Sequence, residues 1–167
     1  MSAPAIRLEP WGARDFELLR ACVGDPAMME HLGGPESGQK LLERQQRYER
    51  EGSNQFKIVE PGSDAGVGWV GFWEREWRGA QVYEIGWAVI PAFQGRGIAS
   101  AATRQALALA RVRGERRYAH AYPSVHNVAS NALCQRLGFS LLGSFDFTFR
   151  GELMSCNDWQ FDLGADD

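Results

Sequence analysis

The 167-residue sequence contains only three cysteines and three histidines. The cysteines Cys22, Cys134 and Cys156 form no CxxC pair, and no two histidines stand four residues apart, so neither a disulfide framework nor a metal site is predicted. An excess of positive charge is also lacking, since 18 basic residues face 21 acidic ones. This balance argues against nucleic acid or an anionic membrane as the main partner.

Long apolar runs are missing as well. No segment could span a bilayer, and the opening residues MSAPAIRLEP lack the basic end and apolar stretch of a secretion signal. We therefore expect a cytoplasmic protein. Repeats and clear linkers are absent, and a hydrophobic content of 44% is enough for one core. Residues 1–167 are thus predicted to form a single domain.

Periodicity predicts a mixed α/β (α+β) fold with an open sheet, because strands outnumber helices and helices cross between the later strands. One helix is expected from about Phe16 to Val23 with Asp15 as its cap, and a short one before Gly33-Gly34. Residues 54–61, 66–77 and 81–90 are expected to form an antiparallel meander. The other expected helices cover residues 37–52, the residues after 97, and residues 127–138. The other expected strands cover residues 5–10, 116–123, 140–149 and 155–163.

The stretch VIPAFQGRGIASAATRQALALAR places Gly95, Gly97 and Ala99 between a strand and an alanine-rich helix. Small residues there leave backbone N–H groups free at a helix N-terminus, which suits a phosphate, although an ordinary tight turn also favours glycine. A Walker loop is excluded because GK[ST] is missing. A dinucleotide fingerprint is disfavoured, since Ser100 replaces its last glycine and Glu115 precedes the next strand instead of ending it.

Two motifs resemble the GCN5-related N-acetyltransferase (GNAT) family. Residues 94–99, QGRGIA, match the Q/R-x-x-G-x-G/A pyrophosphate loop, and residues 127–139, NVASNALCQRLGF, resemble the second motif N-x-x-[SA]-x-x-L-x-x-x-x-G-F. The N-terminal segments RLEPWGARDFELL and DPAMMEHLGG are similar to the branch with ribosomal-protein N-terminal acetyltransferases. The resemblance implies a twisted, mostly antiparallel sheet of six to seven strands with a splayed central pair.

The resemblance also implies acetyl-CoA as co-substrate, without a metal, and direct acetyl transfer to a primary amine of a small molecule or a protein N-terminus. The backbone of the strand end would bind the pantetheine arm, the loop amides would bind the pyrophosphate, and the later helix would contact the cofactor. The residues implied are Ala88, Val89, Ile90, Gln94, Gly95, Arg96, Gly97, Ile98, Ala99, Ser100, Asn127 and Ser130. Asn127 has a second interpretation as a helix N-cap only. The oligomeric state, a homodimer included, stays open.

Glu84 is the candidate general base, at a position where several family members carry a catalytic glutamate. Acyl transfer needs a group that removes a proton from the attacking amine. The alternative is a surface residue paired with an arginine such as Arg75. Glu74 and Glu76 on the adjacent strand are the next candidates, acting through a water.

Cys134 stands where many relatives carry a tyrosine that protonates the departing thiolate. Cys134 has three interpretations: a weak proton donor to the thiolate, a small core residue, or a residue without a role because CoA leaves as the thiolate. A covalent acetyl-cysteine is not favoured. The missing tyrosine supports one alternative, a catalytically degenerate acetyl-CoA-binding sensor. A nucleotide-binding α/β domain is a weaker alternative.

The acceptor is not determined by the sequence. Trp69, Trp73 and Trp77 share one strand face, with Trp87 on the next strand, and they form either core or an acceptor wall. Residues 31–37 are a candidate lid, and the side chains of His120 and Tyr122 are expected to point toward the same cleft. The negative net charge slightly favours a cationic acceptor.

Overall fold

The computed structural model describes residues 2–149 and 151–165. The strands within this part of the chain are β1 Arg7–Pro10, β2 Gln55–Val59, β3 Gly66–Trp77, β4 Ala80–Val89, β5 Tyr118–Ala121, β6 Ser140–Phe149 and β7 Glu152–Asp162. The α-helices are α1 Phe16–Val23, α2 Gln39–Glu49, α3 Ile98–Arg113 and α4 Val128–Arg136, and short 3-10 turns lie at Ala13–Asp15 and Pro91–Phe93.

The strands form one sheet in the order β1-β2-β3-β4-β5-β7-β6. The predicted meander is confirmed, since β2, β3 and β4 pair antiparallel with their sequence neighbours. A two-residue turn at Arg78 and Gly79, with φ of 51° and 80°, joins β3 to β4. Two positive φ values in succession give the turn the twist that an antiparallel hairpin needs.

The sheet is splayed at its centre. Strands β4 and β5 run parallel and pair at only two positions, Tyr83 with Ala119 and Glu84 with His120. β4 then continues to Val89 while β5 ends at Ala121, so the last residues of β4 have no partner on that side. The mixed, mostly antiparallel fold with a splayed pair is thus confirmed.

Two cores cover the two faces of the sheet. On one face, α3 lies against the sheet through Ala102, Ala106 and Ala110, all fully buried, so the alanines allow a close approach of helix and strands. On the other face, α1 and α2 pack around Trp69. Trp87 pairs in register with Val70 and packs on the α3 face, opposite to Trp69. Trp87 therefore belongs to the core, one of the two alternatives that the sequence left open.

Two local predictions are wrong. Residues 25–37 form turns and irregular backbone instead of a helix. The Asp25 carboxylate caps the first turn by accepting from the N–H of Ala27 and of Met28. However, Gly33 and Gly34, with φ of 84° and 91°, leave the helical region. Asp15 does not cap α1 with its side chain. Its carboxylate instead accepts from Gly12 N at 2.8 Å and pairs with Lys57 Nζ at 3.2 Å. No helix of the described residues is long and apolar enough to cross a membrane.

Candidate functional site

The loop between β4 and α3 presents bare backbone. Gly95 and Gly97 have φ of 76° and 78°, a left-handed conformation that glycine adopts without strain. A Cβ at Gly95 would meet no atom within 4 Å, and one at Gly97 would approach only the Pro4 side chain, at 3.5 Å. A ligand can therefore approach the backbone over these residues.

The first turn of α3 has no side-chain cap. Its N-cap is Gly97, which has no side chain to accept a hydrogen bond, and the N–H groups of residues 98–100 have no partner inside the helix. In contrast, Asn127 caps α4, since its Oδ1 accepts from Ser130 N at 3.1 Å. The uncapped start of the 16-residue helix α3 is thus the better place for an anion.

Two guanidinium groups lie beside this helix start. Arg136 of α4 donates from Nη2 to Ser100 Oγ at 3.1 Å. Arg96, within the loop, pairs with Glu60 at 3.4 Å and lies over the Phe93 ring. Their positive charge complements a phosphate at the same backbone N–H groups.

The splay exposes backbone groups of β4 next to the loop. Ile90 N donates to Val67 O on β3 at 2.9 Å. Because the backbone N–H and C=O groups of alternate residues face the same neighbour in an antiparallel ladder, those of Ala88 also point toward β3. The backbone N–H and C=O groups of Trp87 and Val89 then face the gap between β4 and β5. Val89 O accepts from Gln94 Nε2 at 2.8 Å, which ties the loop to the strand end. The side chains of Val89 and Ile90 belong to the two cores, as expected.

Glu84 lies at the last position where β4 and β5 pair. Its Oε2 accepts from Arg75 Nη1 at 2.8 Å and from Trp73 Nε1 at 3.1 Å. Its Oε1 accepts no hydrogen bond from the residues that the structure describes. The side chain is 20% exposed, so one carboxylate oxygen is held in place while the other is available at the mouth of the splay. The predicted pairing with Arg75 is present and leaves this oxygen available.

The other two glutamates lie elsewhere. Glu74 and Glu76 alternate with the residues of β3 that share a face with Glu84, so their side chains are on the opposite face of the sheet. Glu74 is half exposed and pairs with Arg116 at 2.6 Å. The structure therefore places only Glu84, of these three, at the splay.

Aromatic rings surround Arg75 on the Glu84 face. Its Cζ lies 5.1 Å from the Trp77 ring centroid and 4.9 Å from that of Tyr122. The Trp77 and Tyr122 rings contact each other, with centroids 4.7 Å apart, and both contact Phe145 of β6. Phe145 was not expected at the site, because only the tertiary structure brings β6 to this side of the cleft.

A buried His–Asp pair lies next to Glu84. His120 Nδ1 is 2.6 Å from Asp158 Oδ1, and both side chains are almost completely buried. Asp158 Oδ2 also accepts from Trp77 Nε1 at 3.0 Å. His120 was expected to point toward the cleft; its ring is on the Glu84 face of the sheet but buried, stacked on the Tyr122 ring with centroids 5.8 Å apart. Asp158 was missed, because its alternating neighbours Gln160 and Asp162 are polar and nothing in the sequence indicated that this side chain is buried.

Cys134 packs in the α3-face core and is fully buried. Burial raises the pKa of its thiol to about 12, so the structure supports the interpretation as a small core residue. Asn131, one turn before it on the same helix face, is structural: its Oδ1 accepts from Asn157 Nδ2 and from Trp159 Nε1, both at 2.8 Å. In the described part of the chain, no group of three or more His, Cys, Asp or Glu side chains could hold a metal ion.

Residues 31–37 lie between the end of β6 and helix α2. A Cβ on Gly33 would fall 2.6 Å from Phe149 Cδ1, so this segment contacts the end of β6 closely. Glu36 binds Arg44 of α2, which anchors the far end of the segment. Trp69 stacks on Tyr48 and Trp73 in the core beneath α2. Trp69 is therefore core, whereas Trp73 and Trp77 border the cleft.

Solved structures share this fold over nearly the whole chain. An acetyltransferase of the GNAT family from Bacillus anthracis superposes with a TM-score of 0.82 at 18% identity, covering 99% of each chain. A putative acetyltransferase from Salmonella typhimurium, solved with its cofactor acetyl-CoA, gives 0.74 at 20% identity, covering 99% of this chain and 97% of that one. A second Salmonella typhimurium enzyme, which modifies the N-terminal serine of ribosomal protein L7/L12, gives 0.74 at 20% identity over 94% of each chain.

The family follows from the sequence match. Residues 5–140 match the family model described as an acetyltransferase (GNAT) domain, which is well over half of the chain. The protein belongs to the GNAT family and is an N-acetyltransferase.

Proposed function

We propose that this protein transfers the acetyl group of acetyl-CoA to a primary amine of a small molecule or a protein N-terminus. The observation that carries the proposal is the juxtaposition of three features: an uncapped helix start, a splayed strand end and a carboxylate at the point of splay. A phosphate, an amide-bearing arm and an amine to be deprotonated are the partners that these features suit.

The structure passes a simple test of fit for acetyl-CoA. Glycines with positive φ leave the loop backbone open, and the peptide groups of Trp87 face the gap beside β4. When bound, the thioester of acetyl-CoA supplies an activated acyl group. Three parts of the chain would hold acetyl-CoA. The end of β4 would bind it through the backbone of Val89, with Ala88 and Ile90 shaping the strand end. The loop and the start of α3 would bind it through Gln94, Gly95, Arg96, Gly97, Ile98, Ala99 and Ser100, and α4 would contact it through Asn127 and Ser130.

Glu84 would take the proton from the acceptor amine. Trp73 and Arg75 hold its Oε2, which fixes the carboxylate, and Oε1 is the oxygen left to receive the proton. A general base must lie within hydrogen-bond reach of the proton it removes, and of the three candidate glutamates only Glu84 lies beside the gap. Cys134 has no part in this step, since its thiol is buried in the core.

A protein that binds acetyl-CoA without using it would share the cofactor site. The buried Cys134 in place of the usual tyrosine is the observation that favours this second candidate. The two functions differ in one readout: release of free CoA thiol when an amine is added. A screen of primary amines with thiol detection therefore separates them.

The cofactor site is tested by Gly97→Val with Gly114→Val as its matched control. Both glycines flank α3 with positive φ, 78° and 66°, so both variants carry a similar backbone strain, but only residue 97 lies in the loop. Acetyl-CoA should raise the Tm of the wild type and of Gly114→Val and leave Gly97→Val unchanged. Equal Tm shifts in both folded variants would overturn the assignment.

A further inference from the structure

Arg75 has hydrogen-bonding capacity that the fold does not use. Its Nη1 donates to Glu84, and neither Nη2 nor Nε has a partner within residues 2–149 and 151–165. The side chain is nevertheless held in place, by the Glu84 carboxylate and by the rings of Trp77 and Tyr122. At 38% exposure, the guanidinium presents its remaining N–H donors to the cleft.

A second arginine lies close to Arg75. Arg78 lies 5.1 Å from the Trp77 ring centroid and makes no ion pair with the residues that the structure describes. The acidic groups nearby are already engaged, Glu84 by Arg75 and Asp158 by His120.

A second unused donor belongs to Tyr122. Its hydroxyl is buried and has no hydrogen-bond partner among the described residues. Burial, with the nearby charge of Asp158, raises the pKa of this hydroxyl, so it stays protonated and able to donate at physiological pH. A buried donor without a partner is costly, so a rearrangement of the Arg75–Tyr122 contact that admits an acceptor to this hydroxyl would relieve that cost.

We propose that Arg75 forms a carboxylate subsite beside Glu84, so that the acceptor is a primary amine carrying a carboxylate a few bonds away. This inference rests on the proposed function. The planar guanidinium fork matches a carboxylate and binds it with charge-assisted hydrogen bonds. Because Arg75 also contacts Glu84, a carboxylate on the free part of the fork would bring the amine near the base.

Two sources carry this chemistry: a free amino acid, and a peptide with an acidic side chain next to its N-terminal residue. The experiment uses matched pairs for each. One arm compares each of the common amino acids with the amine left by removal of its α-carboxylate. The other compares Ala-Asp-Ala amide with Ala-Asn-Ala amide. Thiol release gives kcat/KM for every member.

We expect the carboxylated member of the best pair to exceed its partner about 10- to 100-fold in kcat/KM, the range that charged hydrogen bonds contribute. Arg75→Gln should reduce this ratio about 10-fold or more, chiefly through KM for the carboxylated member. The ratio is the decisive quantity, since any indirect effect on Glu84 alters both members equally. Arg75→Lys, which keeps the charge but not the fork, should retain part of the ratio.

Arg116→Gln is the matched control, because Arg116 also pairs with a glutamate of β3 or β4 but lies on the opposite face. It should leave the ratio unchanged. A wild-type ratio near one, a ratio that survives Arg75→Gln, or no turnover of any carboxylated amine would each overturn the inference. A Tm shift with acetyl-CoA, measured on the same sample, tells whether the cofactor half of the proposed function still holds in that case.

Discussion

Glu84→Gln separates a chemical role of this residue from a structural one. The amide keeps an oxygen that can accept from Trp73 and Arg75, so the hydrogen bonds at 3.1 and 2.8 Å can persist. What is lost is the charge of the ion pair with Arg75, which is partly exposed. Such pairs contribute about 0–1 kcal/mol to stability, and the Tm should fall by no more than about 4 °C.

The loss of rate should be far larger than the loss of stability. A positioned general base contributes about 10²- to 10⁴-fold, equivalent to roughly 3–5 kcal/mol of activation free energy. The deficit should shrink as the pH rises toward the pKa of the acceptor amine, about 8 for an α-amino group and about 10 for a lysine-like one. Above that pH the amine is unprotonated and needs no base.

The assay is turnover against pH for both proteins at saturating acetyl-CoA. Glu74→Gln is the control, since it makes the same substitution in a residue that also pairs with an arginine but lies on the other face. It should change the rate less than about threefold, an effect below 1 kcal/mol. Parallel pH profiles for wild type and Glu84→Gln, or full activity in the latter, would refute the reasoning.

Three further outcomes are expected. Since burial raises the pKa of Cys134 to about 12, little of its thiolate exists at pH 8. Alkylation of Cys134 should therefore be slow until the protein unfolds. A mass spectrum of the protein with acetyl-CoA alone should show no acetyl adduct on Cys134. Asn127→Asp should keep the α4 cap and the Tm, whereas Asn127→Ala should lower the stability by about 0.5–2 kcal/mol. Weaker acetyl-CoA binding in the Asp variant would reveal a contact between Asn127 and the cofactor. Unchanged affinity would show that Asn127 is a helix cap only. Asp158→Ala should leave the buried His120 and the Trp77 N–H without an acceptor and lower the stability by about 3–5 kcal/mol. The Tm should then fall by roughly 10 °C or more. A change of only one or two degrees would show that the His120–Asp158 pair contributes little.

Features encoded by short stretches of chain were predictable. The glycines before α3, the cap of α4 and the turn at Arg78-Gly79 each depend on the backbone preferences of a few adjacent residues. The meander was predictable because its strands are consecutive and joined by tight turns. The residues around 25–37 were misread because apolar spacing in a short segment cannot tell a helix from successive turns, and the Asp25 side chain caps the first turn of either.

The environment of Glu84 was decided by pairings between distant segments. Periodicity places Glu84 and Arg75 on strands, but only the β3–β4 register puts both on one face and sends Glu74 to the other. In the same way, β7 brings Asp158 to His120 across 38 residues. A one-residue change of register would reverse each of these faces, and the register depends on packing of the whole sheet. The sequence alone therefore determined the glycine-rich loop and the uncapped helix start after it, whereas the tertiary structure decided which side chains surround Glu84.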